Sequence, residues 1–213
     1  MIGSHVPRLF ATKGYNIVAL FSRNPANLSR DANFITSAAP SAQIHTYATD
    51  VTNDTSFPST LKKAVSDLGT PQVVIYNTAR IAYGTFGDYP HSDVRKDFEI
   101  ANIGLIHTAE VLLPLLKENQ NGYEKVAFYV TSGAIIHQPM MPVYSLCMAK
   151  SAQASLTKVL AEEYKGLVHV ALVTVGGVVT PQEEVNNPTH IATKFWELWE
   201  QTENWEFEMK CGW

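Results

Sequence analysis

Apolar and polar positions alternate along this chain with two different periods, and the switches between them mark its elements. Short apolar runs read as buried strands over 15–21, 43–48, 72–76, 125–131 and 168–175, with a weaker alternating stretch at 205–210. Between them, apolar residues recur at helical spacing over 6–13, 28–37, 56–68, 91–116, 144–164 and 189–201, with 91–116 holding one or two helices. Punctuation supports these limits. Gly14 and Gly69 stop two of the helices, Pro114 lies close to the end of another, and Asn187-Pro188 introduces the last. No repeat, low-complexity tract or long linker interrupts the pattern. Buried strands alternating with helices predict an α/β fold: one domain over 1–213, a doubly wound parallel sheet with helices on both faces. Ligands of such sheets sit at the carboxyl ends of the strands.

Composition narrows the class. The 213 residues suffice for one sizeable core, and 46% hydrophobic with 17% charged residues is ordinary for a globular chain. A net charge of −4 and a pI near 6.0 give no basic surface for nucleic acid or an anionic membrane, so neither is expected as a partner. No uninterrupted apolar run reaches the roughly 18 residues that span a bilayer. Cys147 and Cys211 form neither a disulfide framework nor a metal motif and read as reduced thiols in a cytoplasmic setting. No metal site is expected. Arg8 and Lys13 without an acid could mimic a short transit segment, but 6–13 reads better as the helix before a strand.

The chemistry concentrates between Val130 and Tyr164. A strand ends in Thr131-Ser132-Gly133, and about a dozen residues later Tyr144 and Lys150 lie at the opening of a long helix. This layout resembles the active-site segment of the short-chain dehydrogenase/reductase family. In the family a Tyr lies four residues before the Lys, one turn away on the same face. Here Leu146 holds that position, and Tyr144 is six residues before Lys150. The series Ser145-Leu146-Cys147-Met148-Ala149-Lys150 resembles an atypical subset that ends this segment without the Tyr.

Other stretches extend the resemblance over the whole chain and imply a Rossmann-like dinucleotide site. Phe21-Ser22-Arg23-Asn24 resembles A-R-N, where the cation pairs with a ribose 2′-phosphate; a plain surface Arg is the alternative. Thr49-Asp50-Val51 resembles D-V, whose carboxylate holds the adenine amino group while the Val packs on the ring; a turn or helix cap is the alternative. Tyr76-Asn77-Thr78-Ala79 resembles N-N-A-G, with Asn77 matching the second Asn and Ala79 replacing the Gly. Asn102 matches the helix Asn that props a water beside the Lys, or else it packs. Gly176 and Thr180 match the loop that contacts the nicotinamide and phosphate. Met1-Ile2-Gly3 resembles the end of a G-x-x-x-G-I-G turn, so the family's first strand and most of its Gly-rich turn are expected to be missing, as from a start at an internal Met.

The resemblance thus implies catalytic Ser132, Tyr144, Lys150 and Asn102. It implies cofactor contacts from Gly3, Arg23, Asp50, Val51, Asn77, Ala79, Lys150, Gly176 and Thr180. The expected cofactor is NADP(H), with NAD(H) the alternative, and the expected reaction interconverts a small carbonyl and alcohol by hydride transfer. An inactive or non-redox relative, a scaffold or a truncated product would need no cofactor, and Leu146 favours that reading. Tyr144 is either the substitute proton donor or a packing aromatic. His137 is a loop residue whose type titrates near neutrality. Phe195, Trp196, Trp199 and Trp205 read as packing. Partners implied are a small-molecule substrate and further copies of the chain, paired as a dimer or tetramer through the two long helices.

Overall fold

Strand positions that are apolar on both faces demand helices on both faces, and the structure supplies them. A computed structural model describes residues 1–118 and 122–212. Strand β1 (Ile17–Ser22) leads through α2 (Pro25–Thr36) to β2 (Gln43–Ala48), and α3 (Ser56–Leu68) leads to β3 (Val73–Tyr76). Helices α4 (His91–Phe98) and α5 (Gly104–Glu118), joined by a π-helical turn (Glu99–Ile103), precede β4 (Ala127–Gly133). Then come α6 (Tyr144–Glu163), β5 (His169–Val175), α7 (Pro188–Glu200) and β6 (Glu208–Cys211), with α1 (Ile2–Thr12) at the start. In β4, Phe128 and Val130 join the core under α3 and α5, while Ala127 and Tyr129 join the core under α1 and α7.

All strand pairs are parallel, but they form two sheets rather than the single one expected. One has the order β1-β2 and the other β3-β4-β5-β6. The break falls between β1 and β3. Both strands line the space between them, and each has a strand partner on one edge only among the described residues. Backbone groups along such edges need another partner, and leaving one buried and unpaired costs ~1–3 kcal/mol.

Element limits differ from the pattern where local chemistry outweighs periodicity. Helix α1 begins at Ile2, so Gly3 lies inside a helix and not in a loop. Helix α2 begins at Pro25 because Asn24 caps it, accepting from the amides of Ala26 at 2.9 Å and Asn27 at 3.4 Å. Strand β4 runs on through Ser132 to Gly133. Pro114 lies inside its helix, close to the end at Glu118 as expected.

The continuous helix 91–118 is long and apolar enough by composition to cross a membrane, yet 56% of its most apolar window is buried. Leu105, Leu112, Leu113 and Leu116 pack with Phe57, Leu61 and Phe128, as in a core helix.

Candidate active site

The π-helical turn shapes the end of the site that carries Lys150. Widening a helix by one residue releases carbonyls from its ladder and opens them to outside donors. The carbonyl of Ile100 takes the Tyr76 hydroxyl at 2.5 Å, and that of Ala101 takes Gln153 Nε2 at 2.5 Å. Gly104 follows because a Cβ there would overlap the Tyr76 hydroxyl and press on Val51. Asn102, on the same turn, donates through Nδ2 to the Ala149 carbonyl at 3.0 Å. Thus α6 is locked onto the turn one residue before Lys150, and Asn102 acts through the α6 backbone.

Lys150 is buried, and its ammonium is held by two acceptors. Nζ donates to the Thr131 carbonyl and to Gln153 Oε1, both at 2.8 Å. Burial pushes its pKa down to about 8. A lysine has three N–H donors, so one remains for a ligand. Ser132 Oγ and Thr131 Oγ1 are buried without a hydrogen-bond partner among the described residues. Lys150, Thr131, Ser132, Leu146, Asn77, Ala79 and Gly3 all line one cavity of about 1550 Å³ that opens at the carboxyl ends of the strands and continues between β1 and β3.

Several expected residues stand elsewhere. Tyr144 does not line this cavity: its ring packs edge-on against Phe86 at 5.6 Å and Tyr89 at 5.7 Å. Tyr144 is the first residue of α6, and Leu146, two residues on, occupies the lining instead. Thr180 is also outside the lining, though Gly176, Gly177 and Val178 of its loop are in it. Gly176 is required sterically, since a Cβ would land on the Gly212 carbonyl. His137 bonds Glu208 Oε1 at 2.7 Å, an oxygen that also accepts from Thr174 Oγ1 at 2.7 Å; this ties the loop after β4 to β6.

Arg23 and Asp50 are also outside the lining, next in sequence to Ser22 and Val51, which are in it; Arg23 Nη1 lies 4.0 Å from Asp50 Oδ2, and both side chains are well exposed. Such a pair contributes little to stability, so its cation stays free to meet a ligand. Burial raises the Asp50 pKa, but the Thr52 amide and hydroxyl, with Arg23 and Lys96, outweigh it and hold the carboxyl below the usual range. Helix capping belongs to Asn53, whose Oδ1 takes the Thr55 and Ser56 amides, and not to Asp50. Val51 lines the cavity beside Phe21 and Ser22. Gly3 brings the first turn of α1 to the wall between the two ends, and a Cβ there would crowd Asn77 Nδ2 at 3.2 Å.

Two groups of residues escaped the sequence reading. Gln153 is fully buried and holds Lys150, a role that an ordinary helix glutamine does not advertise. Asp97, buried too, gathers Arg80 Nη1 at 2.8 Å, the Tyr89 hydroxyl at 2.9 Å and Ser145 Oγ at 2.6 Å. That cluster pins the 77–90 loop to α4 and to the start of α6. The spacing of Asp93 and Asp97 on one helix face was its visible signal.

The residues present fit a nicotinamide dinucleotide. The orphaned Ser132 hydroxyl and the free Lys150 donor stand at one end, a helix N-terminus suited to phosphate in the middle, and Arg23 with Asp50 and Val51 at the other. Solved structures share the architecture. An alcohol dehydrogenase from the archaeon Thermococcus sibiricus, complexed with 5-hydroxy-NADP, is 19% identical with a TM-score of 0.86 over 98% of this chain and 90% of that one. An NADPH-bound short chain oxidoreductase from Pseudomonas aeruginosa PAO1, described as containing an atypical catalytic center, is 16% identical with a TM-score of 0.86 over 98% and 90%. An NADH-dependent reductase of alginate metabolism, A1-R′, is 12% identical with a TM-score of 0.82 over 98% and 91%. These are likenesses of fold. No curated protein matches the chain. The family model described as short chain dehydrogenase matches residues 2–190, nearly the whole of the two sheets and the site between them, and on that match this chain belongs to the short-chain dehydrogenase family of oxidoreductases.

Proposed function

We propose that the protein is an NADP(H)-dependent oxidoreductase that interconverts a carbonyl compound and its alcohol. The observation that carries this reading is the buried Lys150 ammonium, held at the carboxyl end of β4 beside an unpartnered Ser132 hydroxyl. A bound reduced nicotinamide supplies the hydride. The chain's own groups do the rest. Ser132 Oγ donates to the substrate oxygen and fixes its position. Lys150 offers its third N–H to the ligand, and with a pKa of about 8 it stays charged at neutral pH while lying close enough to release a proton. Asn102 keeps α6, and so Lys150, at a set depth. Arg23 favours a 2′-phosphate, and Asp50 with Val51 takes the adenine. Two of the similar structures are described with NADP-type ligands and one as NADH-dependent, which supports the cofactor class.

Buried, unpaired thiols at Cys147 and Cys211 support a reducing compartment such as the cytoplasm. Exposed Phe98, Met148 and Val159 on the two long helices support pairing of copies along them.

A second reading, a relative without redox activity, is favoured by one observation: Leu146 stands where a phenol is needed, and Tyr144 does not reach the cavity. Following NADPH absorbance with a panel of aldehydes and ketones separates the two. Carbonyl-dependent consumption supports the first; NADPH binding with no consumption across the panel supports the second.

A further inference from the structure

Large apolar side chains that remain exposed gather where the cavity opens. Ile81 and Tyr83 on the loop 77–90, Met140 and Met141 on the loop before α6, and Val178 after β5 are between 55% and 73% exposed. These loops leave three different strands, yet they converge. Ile81, Tyr83, Met140 and Val178 line the same cavity as Ser132 and Lys150, and Tyr83 and Met141 share the hollow beside it. The Gly84 amide donates to the Pro142 carbonyl at 2.9 Å, which clips the first two loops together. Gly84 is required at that clip, because a Cβ would overlap the Tyr89 ring. Tyr89 is itself anchored to buried Asp97. The apolar rim is therefore built in place.

A continuous exposed apolar patch marks a binding surface. Its charge says which kind. Among residues 77–90, 134–143 and 176–187, Arg80 is the sole Lys or Arg, and it is engaged by Asp93 and Asp97. Asp88, Glu183 and Glu184 lie on the same loops. An anionic membrane or an anionic substrate is thus repelled. Inward from the rim, Ile135, Val143 and Leu146 carry the apolar wall down to Ser132 and Lys150. Apolar surface that ends on two adjacent hydroxyls, Thr131 and Ser132, and one ammonium matches a molecule that is apolar except for one oxygen-bearing end.

We propose that the substrate is a bulky, uncharged, apolar carbonyl compound or alcohol, whose chain or rings lie on the Tyr83–Met140–Val178 rim while its oxygen meets Ser132. This rests on the oxidoreductase reading for the fate of the oxygen, but not for the binding of the chain.

The test is calorimetric titration of a series of straight-chain 2-ketones into the protein with NADPH present, beside an NADPH-consumption assay on the same ketones. Affinity rises about fourfold per added methylene while the chain still lies on the rim. In the triple variant Tyr83→Ser/Met140→Ser/Val178→Ser the rise flattens while the thermal melt is unchanged, since all three side chains are largely exposed. Length-dependent binding without consumption upholds the apolar site and sinks the redox reading. Consumption of short polar aldehydes with no dependence on ketone length upholds the redox reading and overturns this proposal. It is equally overturned if ketones fail to bind while the protein, but not the triple variant, sediments with phosphatidylcholine vesicles.

Discussion

Gln153 Oε1 accepts a 2.8 Å hydrogen bond from Lys150 Nζ, one helical turn away, and both side chains are buried. The amide cannot swing aside, because its Nε2 is spent on the Ala101 carbonyl released by the π-helical turn. Gln153 therefore sets the direction of the one Lys150 proton left for a ligand.

Removing that acceptor by Gln153→Leu disfavours the charged lysine and lowers its pKa below about 8. If turnover needs the ammonium, the alkaline limb of the turnover–pH profile moves to lower pH. Gln153→Glu, which keeps an acceptor and adds a negative charge, moves it to higher pH. Uniformly reduced turnover with the limb in place would mean that Gln153 only fills space.

The placement of Tyr144 and Leu146 gives an opposed pair of outcomes. Tyr144 packs on Phe86 and Tyr89 away from the cavity, so Tyr144→Phe leaves turnover within about twofold, the scale of a lost peripheral contact. Leu146 lines the cavity one turn before Lys150, so Leu146→Tyr supplies a phenol and raises carbonyl reduction at least ~10-fold. Loss of turnover in Tyr144→Phe would make Tyr144 the donor after all.

The fold was legible because burial on two faces writes itself into long apolar runs, as in Val168 to Val175. Limits were less legible where a cap decided them: Asn24-Pro25 starts α2 three residues before its apolar stripe does. Part of the cavity wall was visible in short motifs, because Asn77 and Val51 follow closely on the ends of β3 and β2. Two things were not legible. The π-helical turn has no sequence signature at Glu99–Ile103. The direction of Tyr144 depends on where α6 begins, and one residue of helical register decides whether a ring faces the cavity or Tyr89.

His169 makes a stability prediction at acid pH. Its ring is buried with Nδ1 3.0 Å from the Tyr129 hydroxyl and Nε2 2.9 Å from the Glu206 carbonyl. A neutral ring protonated on Nε2 satisfies both: the phenol donates to Nδ1, and Nε2–H donates to the carbonyl. Burial lowers its pKa to about 4, against about 6.5 in the unfolded chain. Between these values the unfolded chain binds a proton that the folded chain refuses. This group's contribution is therefore present at neutral pH and is lost as pH falls from about 6.5 to 4, by up to ~1.4 kcal/mol per unit. Urea melts across that range measure it. His169→Gln, though less stable throughout, shows a flatter dependence; an unchanged slope would assign the loss to other groups.

The central claim is that the carboxyl ends of the strands, where the cavity opens, hold a phosphorylated nicotinamide dinucleotide, and its most direct test is calorimetric titration of NADPH and NADH into the protein and into Arg23→Ala. The account predicts saturable NADPH binding tighter than NADH binding, a preference lost in Arg23→Ala because the exposed guanidinium is what meets the 2′-phosphate. Failure of both nucleotides to bind a protein that melts cooperatively would contradict it.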